Sequence, residues 1–367
     1  MAVLSLRLAR RMAGVLSPLR TLCANGWIRE ADVDFFLRFL NPALALTRVH
    51  AKVLSKRWVA EDMAAFTLRC NGNARGWRAG QHVQLFIELD GIRQSRTYSL
   101  TSVQANGVVE LAIKRQPGGR FSNWLLDQLM PGQVVELSQA QGEMSWPDDG
   151  RGVVLVAAGS GITPLLGLLR EALANGFNAP LTFVHQVRNR TQQAFADELK
   201  ALSARYPNLQ LRLALSGEAA QTDELGRLQP EDVQQLPGAH LLACGPRGFV
   251  EKLAHWWEEA QRGGSVQLES FSPLEALPVD GAGSVQLAFS RSRQHVLGNS
   301  GQSLLEQAEA NGLSPAFGCR QGVCTTCTCT LVAGTVRDLR SGALFAEPGQ
   351  PIRLCVSAPH GDVEIDL

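Results

Sequence analysis

Residues 153–164 read Val-Val-Leu-Val-Ala-Ala-Gly-Ser-Gly-Ile-Thr-Pro. The opening apolar run, Val153 to Ala158, predicts a strand buried on both faces, as strands of parallel sheets are. Gly159-Ser160-Gly161 then turns the chain into a helix that ends at Asn175-Gly176. Strand, glycine turn and helix in that order can seat a diphosphate on a helix N-terminus, although a glycine pair here is also an ordinary tight turn. Pro164 replaces the third glycine of the dinucleotide fingerprint and suits a first helical turn. Ile162 and Thr163 complete the loop. Beyond it, strands are expected at Leu181–Gln186, Leu209–Leu215 and His240–Ala243, with a helix over Ala194–Leu202. This alternation predicts a parallel α/β sheet. Cys244-Gly245-Pro246 follows the last strand, and strand C-termini in such sheets face the ligand crevice.

Upstream, from Val49 to Leu137, the pattern changes to short alternating runs. His82–Leu89 ends in the hairpin signal Asp90-Gly91, and Val108–Ile113 and Val134–Leu137 continue the series. These read as a small antiparallel barrel. One strand carries Arg96-Thr97-Tyr98-Ser99, and Lys114 and Gly118-Gly119-Arg120-Phe121-Ser122 follow. An arginine pairs with a diphosphate, a tyrosine ring covers a flat heterocycle, and a serine hydroxyl can bond a ring nitrogen. A double glycine before a helix admits phosphate oxygens to backbone N–H groups. Alone, the Arg-x-Tyr-Ser strand would also suit a plain half-buried strand.

Downstream, the aperiodic Phe271–Ser284 reads as a linker. Strands at Ser284–Phe289 and Gln294–Leu297, a helix over Leu304–Ala310 and a closing strand at Val363–Ile365 follow. Between them stand Cys319, Cys324, Cys327 and, alone, Cys355. This C-x4-C-x2-C spacing with a distant fourth cysteine is that of a plant-type [2Fe–2S] cluster. Zinc is the rival, but structural zinc draws on paired C-x2-C knuckles and only Cys324–Cys327 is one. Cys329 has no assigned ligand role, though a regular strand would turn it to the side of Cys327. Cys23 and Cys70 read as small buried hydrophobes.

The chain of 367 residues suggests two or three domains, and its 45% apolar content is ample for their cores. A net charge of +1 offers no basis for nucleic-acid binding. Eight cysteines, half of them with ligand spacing, point to a reducing compartment, hence the cytoplasm. No apolar run is long enough to span a membrane. Met1 to Arg20 mixes Leu4, Leu8, Met12 and Leu16 with Arg7, Arg10 and Arg11, which predicts an amphipathic helix stopping near Pro18. A second helix is expected after Glu30, with Val33, Phe36, Leu37 and Leu40 on one face and Asn41-Pro42 at its end. The pair can pack on the next domain or lie on the inner face of a membrane as a peripheral contact.

From Val49 onward the chain resembles the ferredoxin–NADP reductase superfamily. The matching marks are Arg96-x-Tyr98-Ser99, Gly119-x-x-Ser122, Gly159-x-Gly161-x-x-Pro164 and Cys244-Gly245-Pro246. The tail is similar to the ferredoxin fused to oxygenase reductases, and the helical extension resembles that of bacterial oxidoreductases serving membrane acyl-CoA desaturases. The resemblance implies a helical extension (1–47), an FAD-binding antiparallel β-barrel (48–147), an α/β NAD(P)-binding domain (148–272), a linker (273–283) and a β-grasp ferredoxin domain (284–367). It implies FAD rather than the FMN of some relatives, with Arg96 at the diphosphate, Tyr98 and Ser99 on the ring, and Lys114, Gly118, Gly119 and Ser122 around it. Glu269 and Phe271 resemble the acidic–aromatic end of the nicotinamide domain in flavohaemoglobin-like members, where with Ser99 and Cys244 they would flank hydride transfer. Arg188 and Arg190 follow the second strand with no acidic residue beside them in sequence, which leans toward NADPH over NADH.

The implied activity is an NAD(P)H-dependent reductase passing electrons through FAD to the cluster and on to a terminal oxygenase, first of all a membrane fatty-acyl desaturase. A soluble Rieske-type or other oxygenase is the alternative acceptor, and a non-catalytic iron–sulfur sensor is the alternative outside enzymology.

Overall fold

The computed structural model describes residues 16–89, 91–221, 224–271, 283–318, 320, 322 and 325–367. The expected helix over Met1–Arg20, the linker at 273–283, Asp90 of the hairpin, Cys319 and Cys324 lie wholly or partly outside the described residues. Two units are present: the first closes at Phe271, and the second is built from the residues after it together with Gln94–Arg96.

In the first unit, β1 (Val49–Ala60), β2 (Met63–Cys70), β3 (His82–Leu89), β4 (Ile92–Val103), β5 (Val108–Lys114) and β6 (Val134–Leu137) close a barrel in the order β1-β2-β5-β4-β3-β6. Closure removes sheet edges, and alternate residues such as Phe66, Leu68, Leu85, Leu100, Leu111 and Ile113 fill the interior. Helix α3 (Arg120–Gln128) plugs it with Phe121, Leu125 and Leu126.

The α/β part is a five-stranded parallel sheet. Its strands are β7 (Val153–Ala158), β8 (Leu181–Val187), β9 (Leu209–Leu215), β10 (His240–Gly245) and β11 (Val266–Ser270), in the order β11-β10-β7-β8-β9. Strand β7 is central and wholly buried. Val153, Leu155 and Ala157 pack under α4 (Ile162–Ala174) and α5 (Ala196–Arg205), while Val154 and Val156 meet α6 (Pro230–Gln235) and α7 (Arg247–Glu259). A period of two thus divides one apolar run between two cores.

Before the barrel come α1 (Ser17–Ala24) and α2 (Glu30–Leu40). Pro18 stands in the first turn of α1, where its missing N–H costs nothing. Leu16, Leu37, Leu44 and Leu46 form a small core with Leu19 and Val33. The following strand of chain is fixed to the barrel by side-chain amides: Asn73 Nδ2 donates to the Ala45 and Arg48 carbonyls at 3.0 and 2.8 Å. The expected apolar face of α2 is split. Val33 and Leu37 turn inward, but Phe36 and Leu40 are 69% and 75% exposed. The helix is rotated toward Asp34, whose buried carboxylate accepts the Leu46 N–H at 2.6 Å.

The second unit is a mixed sheet of β12 (Ser284–Phe289), β13 (Gln294–Asn299), β14 (Thr328–Asp338), β15 (Leu344–Phe345) and β17 (Ser357–Ile365), in the order β13-β12-β17-β14-β15, with β16 (Pro351–Arg353) paired to β14. Helix α8 (Leu304–Ala310) lies on it through Leu304, Leu305 and Ala308, and opens with a Ser303–Glu306 capping box. Strands β12 and β17 pair in parallel and the others antiparallel, the β-grasp arrangement expected for a ferredoxin domain.

Candidate functional site

Strand β4 presents Arg96, Tyr98 and Ser99. The Tyr98 ring stacks on Phe121 of α3 at 6.5 Å, which fixes its orientation. Ser99 is buried, and its Oγ, like that of Thr97, has no hydrogen-bond partner among the described residues. Buried hydroxyls left unpaired are costly, so two on one strand fit a bound polar ring. Arg96 donates to the Ser95 carbonyl at 2.7 Å. Gly118 holds a left-handed φ of 70° and Gly119 N-caps α3, while Ser122 Oγ accepts the Gln116 N–H at 3.1 Å. The glycine–serine loop is therefore a shaped turn at a helix start.

At the end of β7, Gly159–Gly161 forms a 3₁₀ turn that enters α4 directly. A Cβ at Gly161 would collide with the Cys244 carbonyl, so the second glycine lets this loop pass the end of β10. Thr163 Oγ1 donates to the Ser160 carbonyl at 3.0 Å, while Ile162 and Pro164 are buried in the first turn of α4. Lys114, paired with Asp62 at 3.4 Å, comes across from the barrel, with Nζ 3.7 Å from where a Gly159 Cβ would lie. A cation and free backbone N–H groups at the start of a 13-residue helix suit a diphosphate.

Two histidines that carried no sequence signal belong to this region. His185 of β8 lies beneath the loop, its Nε2 3.0 Å from the Gly159 carbonyl. A carbonyl only accepts, so Nε2 carries the proton and Nδ1 is left without a partner among the described residues. Burial drives this imidazole down to about 4, so it is neutral. His82 of β3 faces Glu269, with Nδ1 3.3 Å from Oε1, and joins the barrel to β11.

Glu269 pairs in register with Cys244, and Phe271 donates its N–H to the Gly245 carbonyl at 3.1 Å. The three residues thus meet where β10 and β11 end, with Pro246 capping α7. Burial, reinforced by Glu269, pushes the Cys244 thiol well above its ordinary range. It stays protonated and is a compact strand-end side chain, not a thiolate nucleophile.

Arg190 is not the open cation its sequence position suggests. Its guanidinium is held by Glu224, at 2.8 Å through Nε, and by Glu218, with the Ala219 carbonyl accepting at 3.0 Å. These acids arrive on the loop after β9, the parallel neighbour of β8, which is why no acid is visible beside Arg190 in sequence. Arg188 is exposed and makes no ion pair among the described residues.

In the second unit, Cys327 precedes β14 and Cys355 lies between β16 and β17. Their sulfurs are 3.3 Å apart and both residues are nearly fully buried. That separation is far beyond a disulfide bond and suits two thiolates on one metal. Arg340 and Arg353 both donate to the Gly322 carbonyl, and a Cβ at Gly322, where φ is 71°, would meet Val356 at 2.6 Å. Cys329 takes another direction: its Sγ lies 3.2 Å from the Asp366 carbonyl. Cys327 sits in a turn ahead of the strand, so the alternation that would put both thiols on one side does not apply.

Three family models match in succession: an oxidoreductase FAD-binding domain over residues 50–146, an oxidoreductase NAD-binding domain over 155–255 and a 2Fe-2S iron-sulfur cluster binding domain over 288–360. The chain is 31% identical over 344 residues to an NADPH oxidoreductase of Mycobacterium tuberculosis, covering 91% of this chain and 88% of that protein. It is 26% identical to the glycine betaine monooxygenase reductase subunit of Pseudomonas aeruginosa, covering 89% and 99%. Phthalate dioxygenase reductase shares the fold with a TM-score of 0.60 at 24% identity, over 87% of this chain and 98% of that one. FAD, NAD(P)H and a [2Fe–2S] cluster are accordingly the groups this chain works with. It belongs to the ferredoxin–NADP reductase superfamily, as an NAD(P)H-dependent electron-transfer oxidoreductase carrying its own C-terminal [2Fe–2S] ferredoxin domain.

Proposed function

We propose that this reductase supplies a terminal oxygenase and that its acceptor is a membrane-bound fatty-acyl desaturase. The observation that carries the finer half is the N-terminal pair α1–α2, which is fastened to the barrel yet turns an aromatic face outward. A soluble oxygenase is the second reading, favoured by the likeness to a monooxygenase reductase subunit.

The bound groups supply the redox chemistry, with hydride acceptance at the flavin and one-electron carriage at the cluster. The chain's residues bind and orient. Arg96, Gly118, Gly119 and Ser122 would hold the flavin diphosphate, Tyr98 and Ser99 would set the ring, and Lys114 stands between this loop and the Gly159 loop. Gly159, Gly161, Ile162, Thr163 and Pro164 form the nucleotide loop, with Gly245 and Pro246 opposite. Arg188 is the cation left to meet a 2′-phosphate, since Glu218 and Glu224 occupy Arg190. Cys244, Glu269 and Phe271 wall the hydride path. Cys327 and Cys355, with Cys319 and Cys324, ligate the cluster.

Reconstitution separates the two acceptors. With membranes containing an acyl-CoA desaturase, NADPH and this protein, double-bond formation is expected above the level without it. Turnover with a soluble oxygenase and none with the membranes would replace the desaturase by the second reading.

A further inference from the structure

Helix α2 wears its apolar side outward. Phe35, Phe36, Phe39 and Leu40 are 59–78% exposed, and Trp27, in the turn before the helix, is 79% exposed. Phe35 meets Phe36 and Phe39 edge-on at 5.7 and 5.0 Å, so the rings form one ridge. Scattered apolar residues on a surface need no explanation; a contiguous aromatic ridge does.

Charge indicates what covers it. Residues 1–48 hold seven arginines and three acids, whereas the whole chain is only +1, so the remainder is net acidic. All three acids are engaged. Asp34 is buried on the Leu46 N–H, Asp32 pairs with Arg29 at 3.0 Å, and Glu30 accepts from Thr47. Arg38, between the exposed rings, is itself exposed and makes no ion pair among the described residues. Aromatic and leucine side chains flanking the exposed Arg38, in a segment of net positive charge and on a helix too short to span, match an interfacial helix on an anionic bilayer.

We infer that the Trp27–Leu40 face docks this reductase onto anionic phospholipid, with Phe35, Phe36 and Phe39 entering the headgroup region and Arg38 meeting phosphate. This deepens the membrane-desaturase reading and partly rests on it, but lipid binding is measured without any acceptor.

The test is flotation of the holoprotein with phosphatidylcholine vesicles and with vesicles that also contain phosphatidylglycerol. The native protein should float with the anionic vesicles only, and high salt should release it. The Phe36→Ser/Phe39→Ser variant should bind about tenfold less, with NADPH-driven ferricyanide reduction unchanged as proof of folding. Equal flotation of variant and native protein, or none by either, would overturn the inference. So would a native dimer in gel filtration that the variant abolishes, since a second copy would then own the face. Vesicle binding without support of a desaturase would leave this inference standing and remove only the acceptor.

Discussion

His185 shows how one buried residue sets a pH limit. Folded, its imidazole titrates at about 4; unfolded, at the ordinary value of about 6.5. Above the unfolded value both states are neutral and the residue adds no pH dependence. As pH falls from about 6.5 toward 4, only the unfolded chain takes up the proton, so stability is lost over that window. At pH 5 the penalty is about 2 kcal/mol. His185→Gln retains a donor for the Gly159 carbonyl and cannot charge. Denaturation midpoints at pH 7.5 and pH 5 should therefore differ less in the variant than in the native protein. An equal drop in both would assign the acid sensitivity to other groups. Nothing local in Leu181–Val187 marks this histidine, because its role arises only when β8 lies beside β7. Glu218 and Glu224 were hidden for the same reason: parallel pairing, not sequence proximity, delivers them to Arg190.

At the scale of elements, the barrel and the α/β sheet are joined by an alternating ion cluster. Arg170 of α4 donates to Glu110 of β5 at 2.8 Å, to Glu198 of α5 at 2.6 Å and to the Thr101 carbonyl at 2.7 Å; Arg57 of β1 reaches Glu110 at 2.9 Å. Burial pushes the Glu110 carboxyl up, but Arg170 and Arg57 outweigh it and hold it below its usual range. Removing the central cation leaves the buried Glu110 carboxylate with only Arg57 and the Thr101 hydroxyl, so Arg170→Met should destabilise the protein by about 2 kcal/mol. Thermal unfolding checks this, and a melting temperature unchanged from native would show that the cluster contributes no net stability. Elements with one clear period were legible to the residue: Val153–Ala158, Leu209–Leu215, Ser284–Phe289 and Leu304–Ala310. The apolar side of α2 was legible as a pattern but not in its division. The burial of Asp34, which decides which arc faces inward, depends on a backbone N–H twelve residues away.

Across the whole molecule, three modules follow one another along the chain, flavin, nucleotide and cluster domains, each matched separately, with the flavin domain first in sequence although the nucleotide is the electron donor. That order was readable because every module carries short motifs whose residue types are fixed by phosphate, ring or iron. The acceptor was not, because recognition of a partner is spread over a surface. The most direct test of the account is an anaerobic titration of the purified protein with NADPH and, separately, NADH, followed by absorbance. The account predicts that either nucleotide able to reduce it bleaches the flavin bands and then the broad iron–sulfur absorption, with NADPH effective at the lower concentration. Flavin bleaching with no iron–sulfur absorption present, or with that absorption untouched, would contradict it.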